Sequence, residues 1–248
     1  MEPLISVITV AYNASSTIGR TIDSVDRQTY TGYEHLVVDG ASTDGTQEIV
    51  DSSRSLRRRW ISEPDKGIYD AMNKGLVNAR GKYVLFLNAG DKFHSEGVLQ
   101  AVAEAIEQND FPGVVYGQTD IVDNEGRFLR RRHLTAPEKL TLQSFADGMV
   151  VCHQAFVVLK RIVDFYDLRY RFSADYEWCI RCLQHSRKNV GLTDMVFVDY
   201  LEEGITTANH KASLRERFNI MCHYYGTFPT MLRHVRFLFR RISRGGKQ

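Results

Sequence analysis

The run Gly81-Lys82-Tyr83-Val84-Leu85-Phe86-Leu87-Asn88-Ala89-Gly90-Asp91 constrains the fold more than any other stretch of this sequence. From Tyr83 to Leu87 every side chain is apolar or aromatic, so the segment reads as a central strand covered on both faces. It stops at Asn88-Ala89-Gly90-Asp91, an amide and a carboxylate at the carboxyl end of a buried strand. Open α/β sheets hold their ligands there. Oxygen donors at that point suit a hard divalent cation that shares its other positions with water and phosphate. The same residues are also common turn formers, and the surrounding chain decides between the two.

Leu4 to Ala11 reads as a first strand, followed by a helix from about Thr17 to Gln28 with Ile18, Ile22 and Val25 on one face. Glu34 to Asp39 is a second strand, and Gln47 opens a second helix that Asp44 is expected to cap. Strand, helix, strand, helix predicts parallel strands with right-handed crossovers. Trp60 to Ser62 is a short strand, and a helix leads from the Glu63–Gly67 turn to about Ala79. Gly97 to Gln108 is a further helix, after which Gly113 to Asp123 and Arg127 to His133, joined at Asn124-Glu125-Gly126, form an antiparallel excursion. Met149 to Leu159 is an apolar run, Ser173 is placed to cap a helix to His185, and Val190 to Val198 is a last strand.

Several polar groups stand where this pattern places a site. Asp39 sits at a strand end, where a carboxylate accepts hydrogen bonds from a nucleobase imide or a ribose hydroxyl. Asp65 and Asn73 give the helix after Ser62 a side rich in short acceptors, a pattern that ordinary surface polarity also produces. His153 and Gln154 interrupt the apolar run, and His153 reads either as a satisfied core histidine or as a ligand. Asp175 and Glu177 fall in the first turn of their helix, where the dipole and free N–H groups stabilise negative charge. Asp175 is thereby kept ionised, as a general base must be. Glu202-Glu203-Gly204 reads as a glycine-hinged loop able to move over a site.

Composition excludes some classes. No apolar run approaches the about 20 residues of a membrane span, and Met1-Glu2-Pro3 lacks a signal peptide's basic start, so a cytoplasmic location is expected. Arg54 to Arg59 is basic but has no aromatic series beside it, so it reads as a solvated helix end rather than a nucleic-acid patch. Cys152, Cys179, Cys182 and Cys222 lack the second half of a zinc motif and are expected as reduced thiols. Charge is uneven: residues 211–248 carry nine Lys or Arg against one Glu, so the rest of a chain of net charge +2 is acidic. This basic, aromatic-rich tail suits an anionic membrane surface, or docking on the body with its arginines outward.

Taken together, Ile5–Asn13, Val38–Thr46, Glu63–Gly75, Phe86–Asp91, Cys152–Ala155 and Tyr170–Glu177 resemble the family 2 glycosyltransferases, over about residues 3 to 210. Within that family they are similar to the bacterial branch that builds exopolysaccharide, O-antigen or glycolipid sugars, including colanic acid glycosyltransferases. The resemblance implies a GT-A fold, a Rossmann-like α/β architecture with a mostly parallel central sheet flanked by helices. It implies a nucleotide-binding half at about 1–110 and an acceptor half at about 111–210, beyond which the basic, aromatic-rich residues 211–248 read as an amphipathic helical tail. It further implies a nucleotide-diphosphosugar donor, with a UDP-sugar favoured, a divalent metal (Mn2+ or Mg2+), and inverting transfer to a lipid-linked or oligosaccharide acceptor at the inner face of the membrane. Residue by residue, Ala11, Tyr12, Asn13, Asp39, Asp65 and Asn73 would line the nucleoside side, Asn88, Ala89 and Gly90 would meet the diphosphate, and Asp91 would hold the metal. Asp175 matches the family's base, and His153, Gln154, Glu177 and Glu203 stand as donor or acceptor contacts. Asn88 and Gly90 depart from the usual Asp-x-Asp-Asp motif, and neither supplies a charged ligand. That departure leaves a degenerate sugar-nucleotide-binding scaffold as an alternative; a nucleotidyltransferase is another.

Overall fold

The computed structural model describes residues 2–53, 55–202 and 210–235. Glu203 and the last part of the basic tail lie outside the described residues.

Strands β1 (Ile5–Ala11), β2 (Tyr33–Asp39) and β4 (Tyr83–Phe86) are buried along their whole length. β3 (Arg58–Ser62) completes the parallel part at the edge. The remaining strands are β5 (Lys92–Phe93), β6 (Val114–Val122), β7 (Phe128–Arg131), β8 (Phe156–Leu159) and β9 (Asn189–Leu201). All nine form one sheet in the order β3-β2-β1-β4-β8-β6-β9-β5, with β7 beside β6. β1 to β4 are parallel, whereas β8 enters antiparallel to both β4 and β6, and β5 runs antiparallel to β9. This is the predicted mixed sheet with an antiparallel excursion.

Helices α1 (Ile18–Asp26), α2 (Thr46–Ser52), α3 (Ile68–Asn78), α4 (Val98–Gln108), α5 (Ala174–His185) and α6 (His210–Tyr225) cover it. Ile5, Val7, Tyr83 and Leu85 pack with Val25 of α1 and Val98, Val102 and Ile106 of α4. Ile8, Val10, Val84 and Phe86 pack with Met72 of α3 and with Trp178 and Cys179 of α5. Alternate residues of one strand thus fill opposite layers, as the pleat requires. Ile220 and Met221 of α6 join the second layer, so this part of the basic segment is docked on the body. All four cysteines are free, as expected.

Two local expectations are corrected. The Ser173 side chain does not cap α5, because its hydroxyl faces Ser213 of α6 at 3.2 Å. Arg58 and Arg59 are not a solvated helix end but part of β3, paired with Asp26 and Glu34. Within the apolar run from Met149 to Leu159, residues 153–155 form a 3₁₀ turn.

Candidate active site

The carboxyl ends of β1 and β2 carry two loops that are sewn together. The Asn13 N–H donates to Ser42 Oγ at 2.8 Å, the Thr43 N–H donates to Asn13 Oδ1 at 3.1 Å, and the Ala14 N–H donates to Thr46 Oγ1 at 2.8 Å. Asn13 adopts a positive φ of 48°, a conformation an asparagine tolerates better than most residues. Asp39 is fully buried below these loops, where its carboxylate accepts from the Ser42 N–H at 3.0 Å, the Ser42 hydroxyl and the Ser62 hydroxyl at 2.7 Å. It therefore anchors the rim rather than presenting an open acceptor. The groups on the rim are Tyr12, 67% exposed, and the half-buried Asp65. Both crowd Gly40: a Cβ there would fall 2.4 Å from Asp65 Oδ2 and 3.2 Å from Tyr12 Cδ2.

At the end of β4 the Ala89 N–H reaches back to the Val10 carbonyl at 3.1 Å, which ties the turn to β1. Gly90 has a φ of 103° and donates its N–H to Thr21 Oγ1 at 2.9 Å, a conformation that favours glycine. The turn splits its two polar side chains. Asn88 Oδ1 is buried and has no hydrogen-bond partner. Asp91, only 4% exposed, turns inward and accepts from the Leu201 N–H through Oδ1 and from Gln154 Nε2 through Oδ2, each at 2.9 Å. The expected metal ligand thus has both oxygens engaged by the protein. Burial is the largest influence on Asp91 and pushes its carboxyl up to about 6, against the opposing pull of the Leu201 N–H, Gln154, His153 and Arg20.

Next to Gln154 in the same 3₁₀ turn is His153. Its Nδ1 stands 3.4 Å from Asp175 Oδ2, while Tyr69 donates its hydroxyl to Asp175 Oδ1 at 3.1 Å. Burial raises the Asp175 carboxyl, but His153, the charge of Arg217 and the Tyr176 N–H outweigh it and hold Asp175 below the usual carboxylate range. Tyr69 is fixed in turn: its ring stacks on Tyr166 at 5.6 Å, and Tyr166 stacks on Trp178 at 4.9 Å. Tyr200 is raised chiefly by burial and then by the charges of Asp91, Cys152 and Asp175. Adjacent residues of one turn therefore hold the carboxylate at the strand end and the carboxylate at the start of α5.

Two expected contacts have other work. Asn73 donates to the Tyr166 carbonyl at 3.0 Å and accepts its N–H at 2.7 Å, so both ends of the amide clamp the backbone beneath the Tyr69 stack. Glu177 is buried in an ion pair with Arg181 at 2.9 Å and receives the Tyr224 hydroxyl, and so secures α6. Ala11 and Ala89 contribute backbone to the rim. Sequence reading missed Tyr69 and Arg217. An aromatic in the first turn of α3 reads as core, and Arg217 lies in a helix whose docking depends on tertiary contacts.

Relatives match this chain in sequence, and solved structures match it in fold. The chain is 31% identical over 208 residues to a PGL/p-HBAD biosynthesis glycosyltransferase of Mycobacterium bovis, a match spanning 82% of this chain and 78% of that one. It is 32% identical over 191 residues to the amylovoran biosynthesis glycosyltransferase AmsB of Erwinia amylovora, covering 71% of this chain and 62% of AmsB. The fold matches the crystal structure of residues 1–349 of S. aureus TarS in complex with UDP-GlcNAc, with a TM-score of 0.73 and 21% identity over 90% of this chain and 65% of that one. With the sequence model for "Glycosyl transferase family 2" matching residues 6–165, the chain is a glycosyltransferase and belongs to family 2.

Proposed function

We propose that the chain transfers a sugar from a nucleotide-diphosphosugar, a UDP-sugar first among them, to a hydroxyl of a lipid-linked or growing glycan acceptor, with inversion at the anomeric carbon. The observation that carries this reading is the state of Asp175: a largely buried carboxylate kept anionic by His153, Arg217 and a backbone N–H, with Tyr69 bonded to its other oxygen. Asp175 takes the proton of the acceptor hydroxyl as that oxygen attacks the anomeric carbon. The bond between that carbon and the diphosphate breaks, and the nucleoside diphosphate leaves. Tyr12 offers an exposed aromatic face, and Asp65 a short acceptor, for the nucleoside, while Asp39 holds their loop from beneath.

Asn88 Oδ1, a buried oxygen without a partner, fits a hard cation. It would hold Mn2+ or Mg2+ together with the diphosphate and water, with Asp91 contributing negative charge from below. When bound, such a cation neutralises charge on the departing diphosphate. Support for a membrane-borne acceptor comes from the helical residues 227–235, where Phe228, Met231, Leu232 and Val235 recur at helical spacing and are all exposed. No helix among the described residues is long and apolar enough to cross a membrane.

Asp175→Asn tests the assignment. Donor binding, read as a thermal shift with UDP-sugars, is expected to persist, and transfer to fall about 10²- to 10⁴-fold. Full transfer by this variant would refute the base. A native chain that binds nucleotide sugar yet neither transfers nor hydrolyses it would favour the scaffold reading, which the amide at Asn88 and the glycine at Gly90 motivate.

A further inference from the structure

The ribbon β6-β9-β5 carries a second cluster of donor atoms. Strand register sets Lys92 opposite Asp199 and Asp199 opposite Asp120, so the three side chains form one cross-strand row on one face. Tyr200, the next residue of β9, alternates to the other face, the one that senses Asp91 and Asp175. Asp120 and Asp199 are each only 6% exposed. Side-by-side buried carboxylates repel unless positive charge joins them.

Asp199 is provided for: Lys92 Nζ lies 2.9 Å from Oδ2, and His94 Nδ1 lies 2.7 Å from Oδ1. Asp120 has Arg131 of β7 opposite it on its other side, but its buried Oδ1 has no hydrogen-bond partner. The donor atoms of His94, Asp120 and Asp199 all lie within 4.8 Å of one another. A tetrahedral cation about 2.1 Å from each ligand brings its donors to about 3.4 Å apart, so closing the set draws its widest pair in by up to about 1.4 Å. The side chain of His94, 45% exposed, makes that movement by loosening its contact with Asp199.

We infer that His94, Asp120 and Asp199 form a binding site for a first-row divalent cation, separate from the sugar-nucleotide site. Two carboxylates and one imidazole select Mn2+, Co2+ or Zn2+ over Mg2+, which takes oxygen ligands and keeps its water. Asp199 lies two residues before Leu201, whose N–H holds Asp91. A cation here joins β5, β9 and β6 at the back of the cleft wall and fixes that N–H, which makes it a structural ion. Lys92 competes with it for Asp199.

Equilibrium dialysis of the full chain against Co2+ or Zn2+ without nucleotide, with bound metal measured by mass spectrometry and the Co2+ visible spectrum recorded, tests the site. Native protein is expected to bind one equivalent. Asp120→Asn and His94→Gln, both near-isosteric, should each weaken binding at least tenfold, and Lys92→Met should tighten it several-fold. Asn88→Ala, at the sugar-nucleotide end, should leave it unchanged. Absence of stoichiometric binding by the native chain, equal binding by Asp120→Asn and His94→Gln, or loss of binding in Asn88→Ala would overturn the inference. Because no nucleotide or acceptor is present, the outcome is independent of whether the proposed transfer reaction is correct.

Discussion

Replacing Asp91 with asparagine should make the protein less stable in acid and more stable above neutrality. Burial lifts the Asp91 carboxyl from 3.8 to about 6, so the folded chain holds this proton more tightly than the unfolded chain does. The group therefore favours folding fully below about pH 3.8, and that contribution is lost as pH rises through about 6. The shift corresponds to about 3 kcal/mol between these limits. Asparagine has no such slope, but its amide cannot accept from both the Leu201 N–H and the Gln154 amide. Gln154 must turn over and release the Cys152 thiol now bonded to its Oε1, a loss of about 1 kcal/mol. Asp91→Asn should thus be about 0.5 kcal/mol less stable than native at pH 4, where the unfolded carboxyl is already partly ionised, and about 2 kcal/mol more stable at pH 7.5. At this chain length the latter is a rise of about 4–8 °C in Tm. Urea unfolding of both proteins in chelator-containing buffers from pH 4 to 8 measures the difference. A gap that stays constant within about 0.5 kcal/mol across that range would refute the buried, proton-retaining Asp91.

Asn73→Ala should cost about 2 kcal/mol by orphaning the Tyr166 N–H and carbonyl; urea melts should show this, while the KM for donor stays near native if Asn73 does not touch ligand. Glu177→Ala leaves Arg181 and Tyr224 without their buried partner, and a loss of about 3 kcal/mol with faster proteolysis ahead of α6 is expected. Gly40→Ala drives a methyl into Asp65 and Tyr12, so the KM for nucleotide sugar should rise at least tenfold with little change in Tm; an unchanged KM would remove this rim from the nucleoside site. Serine at Phe228 and Leu232 together should release the chain from anionic vesicles in a sedimentation assay, leaving turnover of a soluble acceptor intact.

How much of this was legible beforehand follows from the range of the interactions. β1, β2 and β4 are unbroken apolar runs closed by polar turns, and a pattern of that kind is local, so sequence alone finds it. β5 is two residues long and exists only because β9 returns from far along the chain to pair with it. The row Lys92, Asp199 and Asp120 was invisible for the same reason. Asn73 shows the converse error: an amide on the polar side of a helix looks identical whether it faces a ligand or clamps a distant backbone. Asp39 and Asp91 were placed at the correct strand ends, but the inward turn of each depends on hydroxyls and amides from other segments, Ser62 and Gln154 among them. Asp175 was singled out by its place in the first turn of a helix and then by likeness to a family, and the structure adds His153 and Arg217 to the causes of its charge.

The short turn holding His153 and Gln154 has an implication for how this enzyme changes over time. A single peptide unit links the side chain bonded to Asp91 to the one beside Asp175, so any backbone drift there is transmitted to both. In the proposed transfer, mutational tuning of leaving-group departure cannot be uncoupled, at those positions, from tuning of nucleophile activation. Variants selected for new sugars should accordingly spare this dipeptide and accumulate on the outer rim around Tyr12 and Asp65, where donor recognition can be altered alone.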